Sequence, residues 1–249
     1  MLGRAFFAII QNSFAVLGRH NTDNSAGNPF KIIFLEDVIM KSRKIVLSAM
    51  LIAIAMVLSF IQPFQLPFGG GITLASMMPI VLIAFIFGTK WGLFSAFVYS
   101  LIQMITGAKV VASFFMPGDS QMTFFAAMAV CLIDYILAYT VLGFGGIFKN
   151  RIKNNAIAIT IGTVFALSLR YLMHIISGAV FFGAWAEWFF TQEGFYAVGE
   201  KIIQSFSGAS LSVVYSVFYN GLYMVPEIII TAIITPVVYK VLEKSKKSE

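Results

Sequence analysis

The sequence predicts an all-α integral membrane protein of six transmembrane helices with both termini in the cytoplasm. Three observations predict it. Of the 249 residues, 59% are hydrophobic and only 11% charged, too few charges to clothe a soluble domain of this size. The apolar residues fall in long unbroken runs, without the period-two alternation of a membrane barrel, whose strands must turn polar residues inward. Basic residues punctuate the ends of those runs, on one side of the membrane.

The net charge of +6 therefore belongs to topology and not to a nucleic-acid partner, because the cations form no single patch. Cys131, the one cysteine, sits inside an apolar run. That excludes a disulfide framework and a cysteine-based metal site, and makes it a packing residue.

Residues 1–39 read as an extension outside the domain, and residues 40–249 as the membrane domain. Residues 18–29 are polar and aperiodic, and the apolar stretch 5–17 is too short to span. Met40-Lys41-Ser42-Arg43-Lys44 has the form of a translation start, a basic patch leading into a membrane helix. Leu35-Glu36-Asp37 then reads as a translated ribosome-binding site.

The spans are expected at 44–62, 72–88, 91–107, 121–143, 155–184 and 208–239. The second and third are short for a hydrocarbon core of about 30 Å, so tilting or local thinning is expected. Six crossings put Lys41, Arg43, Lys44, Lys90, Lys149, Arg151, Lys153, Lys240, Lys244, Lys246 and Lys247 on one side. Opposite lie only Lys109 and Lys201, with Asp119, Glu187, Glu193 and Glu200, so the cationic side is cytoplasmic. Between the first two spans, the prolines and glycines of 62–71 forbid helix while its aromatics favour burial, which suits a lid. Between the last two, Trp188, Phe189, Phe190, Phe195 and Tyr196 read as an interfacial belt or short surface helix whose rings mostly anchor to the membrane.

Polar groups inside the spans carry the functional signal. Charge at membrane depth is costly, so Arg170 and His174 need partners, a water-filled cavity or a function. At 100° per residue Arg170, His174, Ser177 and Phe181 fall within roughly 60° of one another, with Trp185 close to that face. The alternative is that the pair only ties helices together. Asp134 is the lone acid of the fourth span. In the sixth, Ser212, Tyr215, Ser216, Tyr219, Asn220, Tyr223 and Glu227 share an arc of about 140°, too polar a face for lipid. Tyr99, Gln103 and Thr106 make a weaker stripe on the third.

The topology puts Asp134, Arg170 and Glu227 near mid-membrane, and His174, Tyr215 and Asn220 in the outer half. They can converge on one outward-opening pocket. Two carboxylates against Arg170, with His174 neutral, leave one negative charge among aromatic rings, and such a site favours a flat or quaternary cation.

The sequence has no G-x-x-x-x-G-K-S/T phosphate loop, and Gly143-Phe144-Gly145-Gly146 ahead of Lys149 reads as a turn. Nor is there an H-E-x-x-H or paired-aspartate motif, and His20 and His174 cannot make a histidine metal site. The expectation is a chain with no metal, no bound cofactor and no energy source of its own.

At Met78-Pro79-Ile80, Gln103-Met104-Ile105-Thr106-Gly107, Asp134-Tyr135, Arg170-Tyr171, His174-Ile175-Ile176-Ser177-Gly178, Tyr215-Ser216 and Tyr219-Asn220-Gly221, the sequence resembles the thiamine-specific S-component of energy-coupling factor transporters, their substrate-binding membrane subunit. The resemblance covers about residues 41–242 and implies the S-component fold. It implies that a carboxylate with a nearby Asn and Tyr holds the aminopyrimidine while the His and aromatic rings surround the thiazolium, which implicates Asp134, Tyr135, His174, Tyr215 and Asn220, with Arg170 where some members have lysine. Tyr219, Phe182, Trp185 and Glu227 are further candidates. Asp134 stands where a glutamate can occur, and the lid tryptophan of some members gives way to Gly69-Gly70-Gly71, so Phe182 or Trp185 supplies the ring. Glu227 is expected to neutralise Arg170 more than to touch ligand.

The resemblance also implies partners. Ala49 and Ala53, a small-xxx-small pair, would dock a transmembrane coupling subunit, with two cytoplasmic ATPases consuming the ATP. Packing of those alanines within the bundle is the alternative. The expected function is thiamine (vitamin B1) uptake at the bacterial plasma membrane. The competing readings are an S-component for a precursor such as a hydroxymethylpyrimidine, an intramembrane enzyme using Asp134, His174 and Glu227 as acid and base, and a scaffold without ligand.

Overall fold

The computed structural model describes residues 29–66 and 70–247. The chain divides into two units, residues 1–50 with 241–249, and residues 51–240. The proposed extension lies for the most part in residues 1–28, outside the described residues. Helix α1 (Pro29–Ser59) includes Met40, and its Met40–Ser59 part is long and apolar enough to cross a membrane. Ala49 and Ala53 are both exposed on it.

The second unit holds the polar cluster. After α1, strands β1 (Phe64–Gln65) and β2 (Gly71–Ile72) pair antiparallel, with Phe64 opposite Ile72 and Gln65 opposite Gly71. The expected span at 72–88 is corrected here: its helix, α2 (Met78–Phe87), begins six residues later and has ten residues. The reason is local. Thr73 and Ser76 turn their side chains onto each other, Oγ1 to Oγ 2.8 Å, and close a turn that the helix cannot enter. Pro79 then suits the first helical turn, where no N–H is needed. Every residue from Met78 to Phe85 is buried, so α2 is the central helix, apolar all round because it has neighbours all round.

Gly88, at φ 92°, turns the chain into α3 (Thr89–Thr106), and the short α4 (Ala108–Ser113) follows Gly107. Helix α5 (Phe124–Gly146) is composite. It opens with Thr123 as N-cap, widens to a π-helix over Cys131–Leu137, and tightens to a 3-10 helix over Val141–Gly146. Helix α6 (Asn155–Phe181) starts at Asn154, whose Oδ1 accepts from the N–H of Ala156 at 2.9 Å and of Ile157 at 3.2 Å. A 3-10 turn (Gly183–Trp185), α7 (Ala186–Phe190) and α8 (Tyr196–Ser205) lead to α9 (Gly208–Lys247). Among the described residues, four helical stretches are long and apolar enough to cross a membrane: Met40–Ser59, Phe124–Gly146, Asn155–Phe181 and Gly208–Lys244.

The glycines of 143–146 do not form a turn between spans, as the sequence had suggested. They are the contact surface of α5 with three helices. A Cβ at Gly143 would stand 2.3 Å from the backbone N of Leu93 on α3, and one at Gly146 would stand 2.1 Å from the carbonyl of Ala84 on α2. A Cβ at Gly162 of α6 would likewise stand 2.1 Å from the Gly145 carbonyl oxygen. Backbone approaches of this kind are how membrane helices gain contact without a hydrophobic drive between them.

The aromatic segment after α6 also differs from expectation. Trp188 is exposed, as an anchor would be, but Phe189 and Phe190 are buried. Their rings pack into a cluster with Tyr215 and Tyr219 of α9 and do not face lipid.

Candidate functional site

Helices α5 and α6 meet through a carboxylate. His174 Nδ1 lies 2.9 Å from Asp134 Oδ1, and Ser177 Oγ donates to Oδ2 at 2.7 Å. His174 and Ser177 are three apart and so share one face of α6. For a neutral imidazole that donates Nδ1–H to this carboxylate, Nε2 is the acceptor of the ring. Among the described residues that buried Nε2 has no partner.

Helices α6 and α9 meet through an amide. Asn220 Nδ2 lies 3.2 Å from the His174 carbonyl and 2.9 Å from that of Ser216, and Ser216 Oγ donates to the Ile175 carbonyl at 2.8 Å. The approach requires Gly178, where a Cβ would sit 2.2 Å from Ser216 Oγ. Tyr223 Oη donates to Asn220 Oδ1 at 2.7 Å, and its ring stands edge-on to His174 at 5.9 Å. The amide hydrogens of Asn220 are thus held within the protein, and its oxygen keeps one free lone pair.

Arg170 is not paired with Glu227, contrary to expectation. Its guanidinium lies over the ring of Tyr139, 4.2 Å from the centroid, with Nη1 2.6 Å from Met77 Sδ. Glu227, fully buried, accepts instead from the backbone N–H of Thr73 at 2.7 Å and from its hydroxyl at 2.5 Å.

These groups surround a cavity of about 770 Å³, within the range of small-molecule sites. Of the sequence-predicted residues, Asp134, Tyr135, Arg170, His174, Phe182, Tyr215, Tyr219 and Asn220 lie on its wall. Trp185 and Glu227 do not. Trp185 packs partly buried against the aromatic cluster of Phe189, Tyr215 and Tyr219, and Glu227 is turned to Thr73. With Glu227 off the wall, the charge count made from sequence fails: Asp134 and Arg170 cancel, and Lys109, also on the wall, adds a cation. The hydrogen bonds of the carboxylate go to His174 and Ser177, while Arg170 faces a ring.

The hairpin closes one side of the cavity, through Gln62, Gln65, Leu66, Gly70 and Gly71. Gly70, at φ 84°, lies flat on Tyr223: a Cβ there would be 2.5 Å from the ring. Residues 67–69 of the proposed lid, and with them Gly69, are outside the described residues.

Sequence reasoning missed Tyr139 and Met77 on the wall and passed over Tyr223, Gln103 and Thr106 as site residues. Tyr139 follows Asp134 by five, which places it on another face of an α-helix. The π-turn accommodates one residue more per turn and brings the two together. Tyr223, Gln103 and Thr106 belong to polar stripes visible in the sequence. Among the described residues no group of three or more His, Cys, Asp or Glu is arranged to hold a metal ion.

The sequence matches the family described as thiamine transporter protein (Thia_YuaJ) over residues 45–188. It is 30% identical over 212 residues to the thiamine transporter ThiT of Bacillus subtilis (strain 168), covering 81% of this chain and 92% of that protein. The fold is similar to the solved structure of ThiT from Listeria monocytogenes, with a TM-score of 0.59 and 24% identity over 83% of this chain and 98% of the other. At that identity the second likeness speaks for the fold alone.

Proposed function

The chain belongs to the thiamine transporter family, and from that premise we propose that it is the substrate-binding membrane subunit of a thiamine uptake system. The observation that carries the reading is the convergence of Asp134, His174 and Asn220, from α5, α6 and α9, on one aromatic-walled cavity. Thiamine joins a fixed-charge thiazolium to an aminopyrimidine with a donor and acceptor edge. The thiazolium suits the faces of Phe182, Tyr215 and Tyr219 beside the Asp134 carboxylate, whose own hydrogen bonds go to His174 and Ser177. The aminopyrimidine edge suits Asp134, the hydroxyl of Tyr135 and the free lone pair on Asn220. Arg170, stacked on Tyr139, closes the inner end.

In this reading the chain crosses the membrane six times with both termini cytoplasmic, α2 and α3 crossing as short or tilted elements, and the cavity opens outward. Ala49 and Ala53, exposed and one turn apart, form the contact for a transmembrane coupling subunit. Two cytoplasmic ATPases supply the energy, and the chain itself binds no cofactor. The relatives are transporters, which disfavours an acid–base enzyme built on Asp134, His174 and Glu227.

The test is titration of the purified chain by calorimetry and tryptophan fluorescence. Thiamine should bind one to one, and a hydroxymethylpyrimidine, lacking the fixed charge, should bind more weakly. Equal or tighter binding of the pyrimidine would reassign the substrate to the precursor.

A further inference from the structure

Arg170 is only 7% exposed and stands on the cavity wall. A guanidinium is always charged and carries N–H donors on all three of its nitrogens. One of the three is used: Nη1 donates to Met77 Sδ at 2.6 Å. Among the described residues the buried Nε has no partner, and Nη2, which has none either, is open to the cavity. Nε–H and Nη2–H of a guanidinium point the same way and form a fork that grips an anion side-on.

No acid of the spans fills that fork. Asp134 is engaged by His174 and Ser177, and Glu227 accepts from the backbone N–H and the hydroxyl of Thr73. What Arg170 does touch is weak for a full charge out of water: the ring face of Tyr139, 4.2 Å away at its centroid, and a thioether sulfur. A charge held at membrane depth on such partners alone is costly. The wall as a whole has the same deficit. Arg170 and Lys109 stand against Asp134, so the cavity is cationic before a thiazolium enters, and bound thiamine raises the excess. At about 770 Å³ the cavity has room for such a ligand together with a small ion, whose share is close to the ~30 Å³ of a water.

We propose that the Nε and Nη2 edge of Arg170 is a binding site for a small monovalent anion of the chloride class, and that this anion and the cationic ligand bind together. Each lowers the cost of the other's charge, and the coupling is reciprocal. Tyr139 backs the guanidinium and Met77 holds Nη1, which leaves the fork turned to the ion. Sharing the cavity with a ligand restricts the occupant to a small ion. The site rests on the geometry of Arg170 alone, and only its coupling to thiamine rests on the thiamine-binding reading.

Two measurements on the full-length protein test it. Crystals grown in sodium bromide, with data collected at the bromine edge, should show an anomalous peak within hydrogen-bonding reach of Arg170 Nε and Nη2. Calorimetric titration should find thiamine bound about tenfold more tightly in sodium chloride than in sodium gluconate of equal ionic strength, the order of one hydrogen bond to a charged group, because gluconate is too large for the fork. Arg170→Gln should bind thiamine equally in both salts, and Lys109→Gln should keep the difference. Should Arg170→Gln not fold, Arg170→Lys, which keeps the charge and loses the fork, should narrow the difference. No bromide peak at Arg170 overturns the proposal, as does a salt difference that the Arg170 variants retain in full or that Lys109→Gln abolishes. Equal affinity of the parent in both salts beside a bromide peak would mark an adventitious ion only, and overturns it too. Should the parent fail to bind thiamine, the functional reading falls and the bromide map still decides the anion site.

Discussion

His174 Nδ1 and Asp134 Oδ1 lie 2.9 Å apart, and this contact joins the π-turn of α5 to the polar face of α6 inside the cavity wall. Its consequence is that the carboxylate is oriented before any ligand arrives. Asp134→Asn keeps the shape but removes the charge and one acceptor, leaving His174 or Ser177 facing an amide. Thiamine affinity should fall about 10- to 100-fold, as expected for loss of a charge-assisted interaction in a partly enclosed cavity, read by calorimetric titration.

Tyr223 Oη, 2.7 Å from Asn220 Oδ1, holds the amide in register. Tyr223→Phe keeps the ring under Gly70 and removes that one bond. Affinity should drop about 5- to 10-fold, one neutral hydrogen bond's worth, while the thermal midpoint shifts by only a few degrees. Scanning calorimetry alongside titration separates the two.

Gly178→Ala should disturb the contact between α6 and α9. Its Cβ would meet Ser216 Oγ at 2.2 Å and Asn220 Nδ2 at 3.1 Å, so the Ser216 hydroxyl must turn away from the Ile175 carbonyl and the Asn220 amide must give. An overpacked contact of this kind costs about 1–3 kcal/mol, so both the unfolding midpoint and thiamine binding should fall.

Phe189 touches both Tyr215 and Tyr219, at ring centroid distances of 5.4 and 5.6 Å. Phe189→Ala should lower stability by about 3 kcal/mol and weaken thiamine binding without removing any polar contact. Phe189→Leu, which refills most of the volume, should restore most of both.

The polar skeleton of the site was legible because membranes make polarity conspicuous. One acid on α5, a charged stripe on α6 and a hydroxyl- and amide-rich face on α9 could only turn toward one another. What was not legible depends on features that no helical wheel carries. Tyr139 reaches the wall because the helix widens between Cys131 and Leu137, and nothing in that apolar stretch announces a π-turn. Glu227 seemed matched to Arg170 by charge, but its actual partner is a backbone N–H from far along the chain. The span expected at 72–88 shortened because Thr73 and Ser76 preferred each other to a helix. The glycines at 143–146 read as a loop because glycine serves turns and close helix contacts alike, and only the neighbours of Ala84 and Leu93 tell the two apart.

The central claim, that three helices build one thiamine site, is tested most directly by calorimetric titration of thiamine into the purified chain and its Asp134→Asn, His174→Ala and Asn220→Ala variants. The account predicts one site per chain in the parent and at least about tenfold weaker binding in each variant, since each loses a polar partner on the cavity wall. Undiminished binding in all three variants would contradict it.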